Sequence, residues 1–261
     1  MLSKLLKYDL KKNMRWLWIL FTATICIAGM ARGFKELGEI IGFFKILGII
    51  FDSVFYTLAI NCLLQPFLRS FLNFTKSFYG DESYLTHTLP VTKNQLINSK
   101  FLTALIEMLL AFITIIISLL ILFVSPTTAQ MLRGLFATIV TENISLFWSL
   151  TVLVILIFVE FCMFISIILF AVVLAYKSRE KRVLKSFGYS ALLAFAFLGV
   201  LSITMVIILL INKVDLTSTT IALSKGTFFS VMLTGIIVYS LAITLCYFLT
   251  KKEFNKGVNV D

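Results

Sequence analysis

The chain has 261 residues, 60% of them hydrophobic and 14% charged, with a formal net charge of +10. Soluble domains run at about 45–50% apolar and about 25% charged, and a globule of this length could not enclose so much apolar surface. Composition therefore excludes a soluble fold. In lipid, about 20 apolar residues make one helical span, and backbone polar groups must be satisfied within the structure. Barrel-type alternation is absent, so the expected fold is an all-α membrane protein, and the basic balance is read by its placement rather than as a sign of nucleic acid.

The first predicted element is an amphipathic interfacial helix over residues 1–15. At helical spacing Leu2, Leu5, Leu6, Leu10, Met14 and Leu17 share one side, and Lys4, Lys7, Lys11, Lys12 and Arg15 share the other. Such a helix lies in the membrane surface, with Trp16 and Trp18 at headgroup level and its lysines toward anionic inner-leaflet lipid. Asp9 and Asn13 interrupt the apolar side about one turn apart. Two readings are open: they stay wet at its edge, or they face another protein element such as a cytoplasmic hairpin. The basic start and apolar run also fit a signal peptide, but no small-x-small pair sits cleanly after the run. With five more spans following, a retained first helix is expected.

Six transmembrane spans are predicted at roughly 16–31, 46–68, 101–124, 146–176, 184–211 and 227–249. The transmembrane domain is 16–250, and 251–261 is a cytoplasmic tail. Of the 23 lysines and arginines, 17 fall in the N-terminus, 69–100, 177–185 and the tail, against 6 in the alternate segments. The positive-inside rule puts the richer set, and both termini, in the cytoplasm beneath the plasma membrane. That orientation requires an even number of spans. The fourth and fifth predicted spans would be about 40–46 Å long against about 30 Å of hydrocarbon. They are expected to tilt or project, with the basic link Lys177–Arg182 as a hairpin tip below the headgroups. Cys26, Cys62, Cys162 and Cys246 lie in four different apolar runs and read as small buried hydrophobes, not as a disulfide framework or metal site.

Charge inside a span costs at least ~2.5–3.5 kcal/mol on insertion scales, which singles out Asp52, Glu107 and Glu160. Asp52, near the outer end of the second span, is expected to reach water. Glu107 lies two turns into the third span from the cytoplasmic side. Glu160 is nearest mid-depth with no Lys or Arg at that level, so it is expected to be protonated, water-facing or paired across a subunit interface. Asn61 and Gln65 are one turn apart and are expected to bond across helices at ~0.6 kcal/mol each. The three carboxylates and the 26 phenylalanines outline a candidate pathway for a cationic or amphipathic substrate. The plain alternative for the phenylalanines is contact with lipid.

The segment 69–100 is the one sizeable cytoplasmic loop. Gly80-Asp81 is a turn signal, Pro90 ends whatever precedes it, and Thr92 with Gln95 forms a capping box that starts a new helix. The piece before Pro90 carries Tyr79, Tyr84, Leu85 and Leu89, apolar groups that suit docking on a membrane surface or a cytoplasmic partner. The run from Gly80 through Leu89-Pro90-Val91-Thr92-Lys93-Asn94-Gln95-Leu96-Ile97 to Lys100 resembles the cytoplasmic loop of permease subunits of bacterial type-two ABC exporters, where a similar Leu-Pro run follows the second span. The basic amphipathic N-terminus and six-span order are similar in layout.

That resemblance implies a coupling helix that packs into a cleft on a separate ATPase subunit and moves when two ATPases close on ATP. Ser83, Tyr84, Leu85, Thr86, His87, Thr88 and Leu89 match its position. Asp81 and Glu82 are candidate partners for arginines on the ATPase, or else a solvated loop face. The chain has no G-x-x-x-x-G-K-[ST] run, so ATP and its magnesium would belong to the partner chain. With His87 as the only histidine, neither a paired-histidine metal site nor a membrane-depth serine–histidine pair can form. The chain is thus read as a non-enzymatic transport subunit, binding no cofactor of its own and no nucleic acid. Its implied partners are an ATPase pair, a second permease copy or homologue, and lipid. The alternatives are a secondary transporter or channel, and a membrane immunity protein that sequesters its ligand.

Overall fold

The computed structural model describes residues 2–79, 91–123, 134, 146–177, 182–214 and 223–256. Their long elements are α1 (Leu2–Gly38), α2 (Gly42–Tyr79), α3 (Lys93–Phe123), α4 (Leu146–Tyr176), α5 (Arg182–Ile211) and α6 (Lys225–Asn255). Among the described residues these six are long and apolar enough to cross a membrane, and each predicted span falls on one of them to within a residue. The chain divides into two compact units, one holding α1–α3 and the other α4–α6.

Contacts along the first unit fix its register. Against α2, α1 pairs Gly38 with Lys45, Lys35 with Asp52, Thr24 with Cys62 and Asn13 with Arg69, so the two helices are antiparallel. Against α3 it pairs Asp9 with Lys100, Asn13 with Glu107 and Arg32 with Ile121, so those two are parallel. A short turn at 39–41 sets the α1–α2 hairpin. Gly38 permits it, because a Cβ there would sit 2.9 Å from the Lys45 backbone. The buried side of α1 is Asn13, Met14, Leu17, Phe21, Thr24, Ala28 and Ala31, and that of α3 includes Ser99, Thr103, Glu107, Ala111, Thr114 and Ser118. Both are stripes at helical spacing, and small residues let the helix backbones approach closely where no hydrophobic force between helices exists in lipid.

Two features go beyond the predicted layout. From Leu2 onward the N-terminal turns and the first span form one continuous helix, α1. The apolar side of its first turns continues the stripe of the span, and Leu10, Met14, Leu17 and Phe21 pack with Cys62 of α2 and Ala111 of α3. The longest helices are therefore α1 and α2, with 37 and 38 residues, rather than the fourth and fifth. In addition, 69–79 continues α2 and 93–100 opens α3, so the connection narrows to 80–92. No glycine or proline stands between Pro66 and Gly80 to stop α2. The capping box forms as expected: Gln95 N–H donates to Thr92 Oγ1 at 3.4 Å and Thr92 N–H to Gln95 Oε1 at 3.3 Å.

In the second unit Gly235 meets Leu156 and Tyr239 bonds Glu160, each pair the same number of residues from the start of its helix, so α4 and α6 run parallel. Met163, Ile167, Phe170, Tyr239, Ala242 and Cys246 form the core, covered by Leu193, Phe197 and Leu201 of α5. Ser224 caps α6, accepting from Thr227 N–H at 3.2 Å. The end of α5 is a Schellman motif: Val214 N–H donates to Leu209 C=O and Lys213 N–H to Leu210 C=O, both at 3.0 Å. Lys213 holds the left-handed position at φ 52°, where glycine is the usual residue. The hairpin tip expected at 177–182 lies largely outside the described residues.

Candidate functional site

The first unit carries two layers of polar contacts on α1. In one, Lys100 Nζ donates to Asp9 Oδ1 at 2.7 Å and Ser99 Oγ to Asp9 Oδ2 at 3.0 Å. Asn13 Nδ2 donates to Glu107 Oε1 at 2.6 Å, and Arg69 Nη1 donates to the Asn13 carbonyl at 3.0 Å. In the other, Arg32 Nη1 donates to the Ile121 carbonyl at 3.0 Å and Lys35 pairs with Asp52 at 2.7 Å. Asn13 and Arg32 are 19 residues apart, about 29 Å at 1.5 Å per residue, which matches one hydrocarbon thickness of about 30 Å. Polar groups thus stand where the chain would meet the two faces of a bilayer, and Phe21, Thr24, Ala28 and Ala31 lie between them.

The first layer joins the ends of α2 and α3 that carry the 80–92 connection. Phe74 and Phe78, fully buried, lie tilted against each other at 4.6 Å between ring centroids, and Leu96 and Ile97 are buried at the start of α3. The base of the connection is consequently a packed bundle of helix ends, clamped by α1. Asp9 and Asn13 face protein, as one of their two readings had it, meeting α2 and α3. Sequence reading missed Arg69, Ser99 and Lys100. The signal was available in the two polar breaks of an otherwise apolar stripe, which demand buried partners.

The predicted pathway residues each have a partner inside the chain. Asp52 is ion-paired with Lys35 at 2.7 Å, because the antiparallel hairpin brings opposite charges together, and its side chain stays partly exposed. Its Oδ1 is buried without a hydrogen-bond partner among the described residues. Glu107 is 1% exposed. Asp52 and Glu107 meet α1 at Lys35 and Asn13, 22 residues apart, about 33 Å along the helix, so they do not form one site. Glu160, at mid-helix in α4, is half-buried and bonds the Tyr239 hydroxyl of α6, a partner within the chain that was not foreseen. Asn61 and Gln65 bond along their own helix, Asn61 Nδ2 to the Thr57 carbonyl and Gln65 Oε1 from Arg69 Nε, rather than across helices.

The candidate coupling residues Asp81, Glu82, Ser83, Tyr84, Leu85, Thr86, His87, Thr88 and Leu89 lie outside the described residues. Among the described residues, no group of three His, Cys, Asp or Glu side chains could hold a metal ion. The chain has no significant match to a family model, a curated protein or a solved structure.

Proposed function

We propose that the chain is the membrane-spanning permease subunit of a bacterial ATP-driven ABC exporter. It moves an amphipathic or hydrophobic substrate, a peptide among the candidates, out of the cytoplasm or inner leaflet. One observation carries the reading: the Leu-Pro run resembling an ATPase-coupling loop falls on the 80–92 connection, whose base is the clamped bundle of α1, α2 and α3. A push on a connection hung from unpacked chain would dissipate, whereas one on these helix ends is transmitted into three membrane helices.

In this reading both termini are cytoplasmic and the protein resides in the plasma membrane. The exposed basic side of α1, with Lys4, Lys7, Lys11 and Arg15, faces anionic lipid. Residues Ser83 to Leu89 dock on a separate ATPase pair that binds ATP and magnesium, with Asp81 and Glu82 meeting its arginines. The transmembrane domain pairs with a second copy or a homologous permease. Of the three intramembrane carboxylates, Glu160 is the best placed to meet substrate, being half-buried at mid-helix.

The test is an Asp81→Lys, Glu82→Lys double change on the intact protein in native membranes. Loss of the copurifying ATPase and of its stimulation is expected. Retention of both would remove the assigned docking role of the acidic pair. Export of a cationic peptide unchanged by Glu160→Gln would remove Glu160 from the pathway.

A further inference from the structure

Glu107 poses a separate problem of charge. It is enclosed between α1 and α3, with one oxygen taken by the Asn13 amide at 2.6 Å. Its other oxygen, Oε2, is equally buried and has no hydrogen-bond partner among the described residues. The charged groups facing it are Asp9 from α1, Arg69 from α2 and Lys100 from its own helix. Both cations are engaged elsewhere, Lys100 on Asp9 and Arg69 on the Asn13 carbonyl and Gln65. Among the described residues an anion here would have one hydrogen bond and no ion pair, in surroundings where an uncompensated charge is strongly unfavourable. A proton on Oε2 removes the charge without moving any other group.

We propose that Glu107 is a proton-binding site that latches the N-terminal part of α1 onto α3. In the protonated form the neutral acid keeps its bond from Asn13 and α1 stays closed over the ends of α2 and α3. When the proton passes to water, the anion left behind draws Arg69 or water toward Oε2, and α1 loosens. The proton occupancy of Glu107 thereby sets how tightly α1 is held to α2 and α3. The inference rests on the packing of the first unit and not on which partner the connection meets.

Cys62 is a built-in reporter of the latch. It is fully buried, lies 3.2 Å from Thr24 Oγ1 of α1 and packs with Met14, Leu17 and Phe21. The experiment uses full-length protein in lipid nanodiscs with Cys26, Cys162 and Cys246 replaced by Ala, with Glu107 intact or changed by Glu107→Gln, the isostere of the neutral acid. Infrared difference spectra between the two should contain a carboxylic-acid C=O band on the acidic side that fades as pH rises. Maleimide labelling of Cys62 should be equal in the two proteins on the acidic side, and several-fold faster with Glu107 on the alkaline side. The intrinsic pH dependence of the thiol cancels in that ratio. Absence of the band at every pH would overturn the proton site, and equal labelling throughout would overturn the latch. A Glu107→Gln chain that fails to fold would count against a neutral Glu107.

Discussion

Replacing Asp9 by Ala tests whether the first fifteen residues are clamped to protein or merely rest on a membrane surface. The substitution removes a carboxylate that accepts from Lys100 at 2.7 Å and from Ser99 at 3.0 Å, and leaves Lys100 without its counter-ion. Breaking a fully buried pair from one side costs about 3–5 kcal/mol. Here the two side chains keep 15% and 17% of their exposure, so water recovers part of the loss and about 2–3 kcal/mol is expected. At about 2–4 °C per kcal/mol for a chain of this size class, the midpoint of thermal unfolding in detergent should fall by about 4–12 °C. The assay is the fraction of monodisperse protein that survives a temperature series, followed by size-exclusion chromatography. Replacing both partners, Asp9→Ala with Lys100→Met, should cost less than the sum of the single changes, because neither leaves an orphaned charge. A helix lying on lipid with Asp9 in water predicts no shift and strict additivity. Either result would refute the clamp.

Three other changes probe separate parts of the structure. Thr92→Ala removes the cap of α3 at a cost of about 1 kcal/mol, so amide exchange at 93–96 should speed up by about fivefold; unchanged exchange would deny the capping box a role. Lys213→Gly relieves a left-handed residue at φ 52° and should stabilise the second unit by about 0.5–1 kcal/mol, read as a higher midpoint; a lower midpoint would contradict the Schellman assignment. Tyr239→Phe deletes the hydroxyl that bonds Glu160 and should cost about 0.6–1.7 kcal/mol. Its effect should largely vanish in a Glu160→Gln background, and full additivity would show that the pair does not interact.

The number and position of the helices were legible because lipid demands long apolar runs, and each run announces itself locally. The wheel of residues 1–15 was also legible: Leu10, Met14 and Leu17 are on the buried side, while Lys4, Lys7, Lys11 and Arg15 are exposed. What the wheel could not give was the medium that covers the apolar side, since a leucine stripe serves a lipid surface and a neighbouring helix alike. Asp9 and Asn13 carried the discriminating information, but the groups their side chains bond lie 90 or more residues away and no local pattern names them. The ion pair of Asp52 was hidden for the same reason. Its partner Lys35 is visible in the sequence, yet the pairing emerges only once the 39–41 turn folds α1 against α2. The capping box at Thr92 and Gln95 was readable in advance because both its members lie within one helical turn.

Under the proposed function a separate ATPase drives this membrane bundle through the 80–92 connection. Affinity purification of the tagged chain from its native membrane measures this most directly. A P-loop ATPase is expected to travel with it, and the reconstituted assembly to move substrate only when ATP is hydrolysed. Transport that follows a proton or sodium gradient, with no such ATPase bound, would contradict it.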